Sequence, residues 1–202
     1  FRPENGLVMA HQRLVIVDPN SGEQPFVDES GNILAVNGEI YNHLELREKY
    51  PSEYKTKSDC EVILKVKDQV HELEGMYGFG LWDQEQKSLI VARDPIGIIP
   101  LYWGSRTRII DQREYDEFWV SSELKVLERA GVSYDIFPPG QVWRVSLNNF
   151  TIEIDKKITN EYRRLFTPQL PYPNPNHDLE ETRKLIRQGL KKSVYKMLMA
   201  DV

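Results

Sequence analysis

The sequence predicts an α+β fold in which antiparallel β-sheets are covered by a few helices. Short apolar runs alternate with turn residues over positions 7–154, a pattern that is typical of strands joined by hairpins. Two segments with helical spacing of apolar residues interrupt these runs. A hydrophobic content of 40% over 202 residues is enough for a sizeable core. Many strands with few helices favour sheets layered against helices.

The predicted strands follow one another closely, so most neighbours should pair antiparallel. Turn sequences separate them, namely DPNSG, DESGN, DQEQK and RDPIG. In chain order the predicted strands are LVMA, LVIV, ILAV, YGFGLW, SLIVAR, LYW, FWVSS, QVWRV and TIEI. Their aromatic residues fall on alternating positions, which favours core packing over an exposed stacking platform. These aromatic residues are Tyr77, Phe79, Trp82, Trp103, Trp119 and Trp143.

Two helices are predicted between the ILAV and YGFGLW strands. The first begins after Asn42, a suitable N-cap residue, and ends before Pro51. The second should begin at Ser58, because Glu61 stands three residues later and completes a capping-box pattern. Apolar residues then recur at near-helical spacing, at Val62, Ile63, Val66, Val70 and Leu73.

The character of the sequence changes after the last predicted strand. Prolines at positions 168, 171, 173 and 175 favour an extended linker. Asp178 then caps a predicted helix whose apolar residues recur every three to four positions or at twice that spacing. We therefore predict a main domain over residues 1–160, a Pro-rich linker over 161–177 and the start of a second domain over 178–202.

Composition narrows the partners and the cellular setting. The formal net charge of -5, with basic residues scattered among acidic ones, argues against a nucleic-acid partner. No apolar run approaches the roughly 18 residues that cross a bilayer, so no membrane partner is expected. A single cysteine, Cys60, excludes an internal disulfide framework and favours the cytoplasm. No group of His, Cys and Asp residues has the spacing of metal ligands. The chain begins with Phe1 and not with Met, so we expect a piece of a longer protein.

Four short segments are chemically unusual when they are taken together. They are HQRLVIVD, AVNGEIYNH, KSDCEVI and ARDPIGIIPLYWG. Their order and spacing resemble the N-terminal glutaminase domain of glutamine-hydrolysing asparagine synthetases, which are class II glutamine amidotransferases. The resemblance continues through VSSELKVL, FPPGQVWRV and SVYKMLMADV. It implies an N-terminal-nucleophile hydrolase fold, an αββα sandwich of antiparallel sheets, followed by the first helix of an α/β synthetase domain.

Free glutamine carries a carboxylate, an ammonium and a carboxamide, so its site needs a cation, an anion and donors for an oxyanion. The resemblance implies that Arg13 binds the α-carboxylate and that the backbone of Ile16 lines the same pocket. It also implies that Glu39 and Asp59 face the α-ammonium. Taken alone, Arg13 is more often a surface cation, and Asp59 could simply help to cap a helix.

The oxyanion hole implied by the resemblance consists of the Asn37 side-chain amide and the Gly38 backbone N–H, which makes both residues catalytic as well as substrate-binding. Taken alone, an Asn-Gly pair after an apolar run usually closes a β-hairpin. The combination of segments in this order favours the glutamine site. Met76 could line a passage for ammonia, although core packing is the simpler interpretation.

The nucleophile implied by the resemblance is an N-terminal cysteine whose own α-amine acts as the general base. Cys60 has no such amine, so we expect it to be a buried packing thiol. The expected nucleophile would precede Arg13 by several tens of residues, so the chain as given lacks it.

The resemblance implies an ATP-dependent ligase that makes asparagine from aspartate, ATP and glutamine, with this part hydrolysing glutamine to glutamate and ammonia. No cofactor is expected in this part, whereas ATP and Mg are expected in the synthetase domain, and a homodimer is one assembly to test. Two alternatives stay open. One is the glutaminase domain of another amidotransferase that makes sugar amines, a phosphoribosylamine or a β-lactam-type product. The other is a non-catalytic glutamine-binding paralogue that lacks the cysteine.

Overall fold

A computed structural model describes residues 6–12, 22–148, 151–158 and 178–198. Antiparallel strands dominate it, because the short apolar runs alternate between inward and outward positions. In chain order the described strands are β1 (Phe26–Val27), β2 (Ile33–Ile40), β3 (Gly75–Asp83), β4 (Ser88–Arg93), β5 (Tyr102–Ile110), β6 (Arg113–Ser121), β7 (Ser133–Ile136), β8 (Gln141–Asn148) and β9 (Thr151–Ile158).

The strands form two sheets, which we call sheet A and sheet B. Sheet A has six strands in the order β1-β2-β3-β4-β8-β9, and sheet B has three in the order β6-β5-β7. The described helices are α1 (His43–Lys49), α2 (Leu124–Ala130) and α3 (Leu179–Met197). Two short 3₁₀ segments, Asp59–Leu64 and Val70–Glu72, lie between α1 and β3.

The two faces of sheet A pack against different layers, as the period of two along β4 shows. Ile90 and Ala92 belong to the cluster that β2 and β3 share with α1 and the 3₁₀ segments. Val91, between them, belongs to a second cluster with Trp143 of β8, and residues of sheet B pack against that cluster. Sheet A therefore lies between the helical segments and sheet B, and α2 packs on β5, β6 and β7.

Aromatic rings join the two sheets. The Trp103 ring of β5 lies 4.9 Å from the Trp143 ring of β8 in an edge-to-face arrangement. Such a pair contributes about 0.5–1.5 kcal/mol beyond the area that it buries. The predicted fold class is confirmed: the chain is α+β, with antiparallel sheets packed face to face and helices alongside.

The helix predicted from Ser58 is wrong in its form. In its place are the two 3₁₀ segments, and the Ser58 side chain makes no capping hydrogen bond. The Glu61 carboxylate instead accepts the backbone N–H groups of Lys55 and Thr56 at 2.7 and 2.8 Å. Every residue of Asp59–Leu64 is buried, so this spacing of apolar residues could not distinguish an α-helix from a tighter turn.

Other predicted elements have mixed outcomes. Helix α1 lies between Asn42 and Pro51 as predicted, and Asp178 caps α3 by accepting the Glu180 N–H at 2.9 Å. The LVMA segment is described and is not a strand, whereas LVIV and residues 161–177 lie outside the described residues. The division into domains stays a prediction. None of the described helices is long and apolar enough to span a membrane.

Candidate functional site

A cavity of about 610 Å³ opens at one end of sheet A. This volume is within the range of about 300–1,000 Å³ that is usual for small-molecule sites. Its walls come from residues 36–39 of β2, residues 58–60 at the first 3₁₀ segment, Met76 of β3, Ile99, and residues 122–123 just before α2. The segments that the sequence singled out around Asn37 and Asp59 therefore meet at one place.

Asn37 and Gly38 lie inside β2, not in a turn. They are paired with Gly78 and Tyr77 of β3, and the strand continues to Ile40. The hairpin interpretation of this Asn-Gly pair is therefore wrong. The turn preference of the Asn-Gly pair is overridden here by the pairing of β2 with β3.

Gly38 occupies a position that no other residue could adopt without strain. Its φ is +142°, and a Cβ built there would lie 2.0 Å from the backbone oxygen of Met76. Across the same strand pair, a Cβ on Gly75 would lie 2.1 Å from the backbone oxygen of Glu39. The glycines thus let β2 and β3 approach closely beside the cavity, which fixes the backbone at Gly38.

Asp59 is a buried carboxylate at the cavity wall. Only 4% of its surface is exposed, and its Oδ2 accepts the backbone N–H of Ile40 at 2.7 Å. The carboxylate thus binds the end of β2. Its role is therefore not limited to capping a helix, which was the simpler interpretation of the sequence. This bond ties the first 3₁₀ segment to the strand that carries Asn37.

Glu39 brings a second carboxylate to the same cavity. Partial burial raises its pKa, and the nearby charge of Asp59 raises it further. A cation bound beside both carboxylates would be stabilised by each of them. Within the described residues, no group of three His, Cys, Asp or Glu side chains is arranged to hold a metal ion. An organic ammonium suits the pair.

Arg13 and Ile16 lie outside the described residues, so their predicted contacts with the α-carboxylate stay predictions. The two residues immediately before Arg13, His11 and Gln12, do line the cavity. The chain therefore enters the segment that contains Arg13 from the cavity wall.

Cys60 is buried as predicted, with 4% of its surface exposed. Its thiol lies 3.4 Å from the carbonyl oxygen of Gly38 and donates to it. Met76 lies opposite Glu39 in the strand register and lines the cavity, so it is not purely a core residue.

The RDPIG turn supports the cavity wall through two buried charged residues. The Asp94 carboxylate accepts the backbone N–H groups of residues 96–99 at 2.6–3.1 Å. The Arg93 guanidinium donates to the carbonyl oxygens of Gly97, Ile99 and Phe137 at 2.7–2.8 Å. The turn is therefore rigid and places Ile99 at the cavity.

The outcome for the apolar residues of that turn is mixed. Their hydrophobicity alone predicts that Ile98, Ile99 and Leu101 are core residues. Leu101 is buried and Ile99 is partly buried. Ile98 is 52% exposed, so that expectation is wrong. The backbone N–H groups of residues 96–99 donate to the Asp94 carboxylate, and the turn formed in this way leaves the side chain of Ile98 exposed.

Several wall residues were missed by sequence reasoning. Gln24 lines the cavity, and its Oε1 accepts the Val36 N–H at 2.8 Å, but nothing in its sequence neighbourhood indicated this role. Ser122 and Glu123 also line the cavity, and they belong to the VSSELKVL segment that was noted only for its resemblance.

The chain is similar in sequence to curated proteins of plants and fungi. An asparagine synthetase (glutamine-hydrolyzing) of Asparagus officinalis is 37% identical over 203 residues, covering 96% of this chain and 31% of its own. A probable asparagine synthetase (glutamine-hydrolyzing) of Schizosaccharomyces pombe is 38% identical over 206 residues, covering 98% of this chain and 34% of its own. The chain thus spans about a third of the length of these relatives.

A solved structure is also similar, that of glutamine phosphoribosylpyrophosphate amidotransferase from B. subtilis complexed with ADP and GMP. Its TM-score is 0.49 at 25% identity, and the match covers 67% of this chain and 32% of the other. The profile of the glutamine amidotransferase domain matches residues 2–167. Since that match takes in most of the chain, the protein belongs to the glutamine amidotransferase domain family.

Proposed function

We propose that the cavity binds free glutamine and that this domain hydrolyses it to glutamate and ammonia. The observation that carries the proposal is the meeting of Asn37, Gly38, Glu39 and Asp59 at one cavity, although they come from two separate segments. Two acids beside two amide donors match the ammonium and the carboxamide of one amino acid.

The substrate's ammonium would lie between Glu39 and Asp59. Asp59 is held in place by the Ile40 N–H, so it can bind the ammonium without reorganising. We propose that Arg13, with the Ile16 backbone beside it, binds the α-carboxylate through its planar guanidinium. Charge pairing at both groups would then orient the carboxamide towards the end of the cavity that holds Asn37.

Asn37 and Gly38 would stabilise the oxyanion that forms when the carboxamide is attacked. The strand pairing with β3 fixes the backbone here, so the donors would be in place before the reaction begins. One such donor contributes about 10²–10³ to the rate in well-studied hydrolases. The Cys60 thiol donates to the carbonyl oxygen of Gly38, so in this proposal its role is structural.

The nucleophile in our proposal is an N-terminal cysteine of the complete protein. The cysteine's own α-amine would take the proton of the thiol, and the thiolate would attack the amide carbon. The α-ammonium formed in this way would give its proton to the departing nitrogen, so that the tetrahedral intermediate collapses to a thioester and ammonia. Water would then hydrolyse the thioester to glutamate and regenerate the thiol. The α-amine suits this role because its unperturbed pKa lies at about 7.7–8.0.

We propose further that the complete protein is an ATP-dependent asparagine synthase. The names of the relatives at 37% and 38% identity support aspartate as the acceptor. A synthetase domain would use ATP and Mg to convert aspartate to an acyl-adenylate, which ammonia converts to asparagine. We propose that this enzyme is a homodimer and that it is located in the cytoplasm.

Calorimetry and activity assays on the complete protein test this proposal. Glutamine should bind, and glutamate release should follow with asparagine formation when aspartate and ATP are present. Replacing the N-terminal cysteine by alanine should abolish glutamate release while glutamine still binds. Ammonia supplied from solution should still give asparagine in that variant. Glutamine binding without any glutamate release by the intact protein would instead support a non-catalytic paralogue, and turnover with another acceptor would identify a different amidotransferase.

A further inference from the structure

A buried hydroxyl, that of Tyr41, lies two residues after Glu39 along the chain. Tyr41 comes directly after β2, and its backbone N–H donates to the Glu74 oxygen at 2.7 Å, so the pairing of β2 with β3 extends past Ile40. The Tyr41 hydroxyl is buried and has no hydrogen-bond partner in the part of the chain that the structure describes. A buried donor without an acceptor is costly, so a partner is expected in some functional state.

Glu39 is the acceptor that matches this donor. In an extended strand, residues two apart project from the same face, so the side chains of Glu39 and Tyr41 lie on the same side of β2. Glu39 lines the cavity, and among the described residues no group donates a hydrogen bond to its carboxylate. Within the part of the chain that the structure describes, an unpaired donor and an unpaired acceptor thus share one face of the strand, and the acceptor lines the cavity.

The other carboxylate near Tyr41 is already occupied. Asp94 accepts four backbone N–H groups of its own turn, three at Oδ1 and one at Oδ2. Burial raises the pKa of Tyr41, and the charges of Glu39 and Asp94 raise it further. The phenol therefore keeps its proton and is available as a donor.

We propose that Tyr41 is a positioning residue for Glu39: when the α-ammonium of glutamine enters between Glu39 and Asp59, the Glu39 carboxylate turns and accepts the Tyr41 hydroxyl. The inference rests on the proposed glutamine site and adds a residue to it. The hydrogen bond fixes the orientation of Glu39 towards the substrate and opposes the repulsion from Asp59. Because the ammonium does not react, the stabilisation is equal in the ground state and the transition state.

Tyr41→Phe in the complete protein tests this role, because it removes only the hydroxyl. The KM for glutamine should rise about 10- to 100-fold, the effect of losing a hydrogen bond to a charged group, while kcat stays the same. The unfolding temperature without substrate should be unchanged or higher, since an unpaired buried hydroxyl has been removed. A purely structural role would lower the unfolding temperature.

Tyr50→Phe is the matched control. The Tyr50 hydroxyl donates to Glu72 Oε1 at 3.0 Å, away from the cavity. Its loss should lower the unfolding temperature without changing the KM for glutamine. The two tyrosines should therefore show opposite patterns.

A double-mutant cycle shows whether Tyr41 acts through Glu39. On a Glu39→Gln background, Tyr41→Phe should raise KM less than it does in the wild type, because the charged acceptor is already lost. An unchanged KM in Tyr41→Phe, or an equal rise on both backgrounds, would overturn the inference. If Asp59→Asn weakens glutamine binding while Tyr41→Phe does not, only the role of Tyr41 fails. If neither has an effect, the proposed glutamine site fails as well.

Discussion

Asp59→Asn isolates the charge at the centre of the proposed site. Asparagine has the same shape, and its side-chain oxygen can still accept the Ile40 N–H that now lies 2.7 Å from Asp59 Oδ2. The substitution therefore keeps the tie between the 3₁₀ segment and β2 while it removes one negative charge. Asp59→Ala would remove both and could not separate them.

The expected loss of affinity follows from Coulomb's law. Two unit charges about 4 Å apart interact by about 4 kcal/mol at an effective dielectric constant of about 20. Glu39 remains to bind the ammonium, and the variant relieves its repulsion by Asp59, so part of that energy is recovered. We expect a net loss of about 2–4 kcal/mol, which weakens glutamine binding about 30- to 700-fold.

Calorimetric titration of the complete protein with glutamine measures this loss directly. Asp111→Asn is a suitable control, because Asp111 lies at the exposed tip of the β5–β6 hairpin with a φ of +50°, a conformation that asparagine tolerates well. That control should bind glutamine like the wild type. If Asp59→Asn bound glutamine within threefold of the wild type while remaining folded, the ammonium would not lie at Asp59 and our reasoning would be refuted.

Changes at Asn37, Glu39 and Asp83 should each have a distinct effect. Asn37→Ala should lower the rate of glutamate release by about 10²–10³, the effect of losing one oxyanion donor. Thermal stability should change little, because Asn37 is exposed. An unchanged rate in the steady-state assay would exclude Asn37 from the oxyanion hole. Glutamine affinity should fall as the pH drops through the raised pKa of Glu39, because the bound ammonium requires the ionised carboxylate. Calorimetric titrations of Glu39→Gln should show a weaker dependence on pH over the same interval. Asp83→Asn should lower the free energy of unfolding by about 3 kcal/mol in urea titrations. The reason is that Lys67 and Arg144, whose nitrogens lie 2.9 and 3.2 Å from the Asp83 carboxylate, lose their buried charged partner. An unchanged free energy of unfolding would show that these ion pairs do not contribute to stability.

The pH dependence of stability should carry the signature of Asp83. Burial opposes its ionisation, but hydrogen bonds from Lys67, the Gln86 N–H and Arg144 outweigh burial and lower its pKa. Its stabilisation is therefore fully present above the unfolded pKa of about 3.9 and is lost as the pH falls through the lower folded value. Acid unfolding of Asp83→Asn should lack this contribution.

Much of the sheet architecture could be predicted from the sequence, because apolar runs and turn residues report local alternation. β4 was predicted with its observed bounds, and β3 was predicted over residues 77–82 of its nine residues. The lengths of β5 and β6 were underestimated, since Arg106 and Glu117 are polar. Their ion pair at 2.6 Å across the two strands stabilises residues that hydropathy alone assigns to a loop.

The site was harder to predict than the sheets. The segments around Asn37 and Asp59 were chosen correctly as neighbours, but the local form of each was wrong. Asn37 and Gly38 have intrinsic turn preferences that pairing with β3 overrides, and the burial of Asp59 comes from packing between distant elements. Tyr41 gave no signal in the sequence because an unpaired hydroxyl is visible only once its surroundings are known.

The close approach of β2 and β3 limits how the cavity could be altered by evolution or by design. Where Gly38 passes the Met76 oxygen there is no room for even a methyl group. A change of substrate size must therefore come from wall residues outside the strands, at Ser58, Ser122 or Glu123. Libraries aimed at amides other than glutamine should vary those three positions and leave the strand untouched.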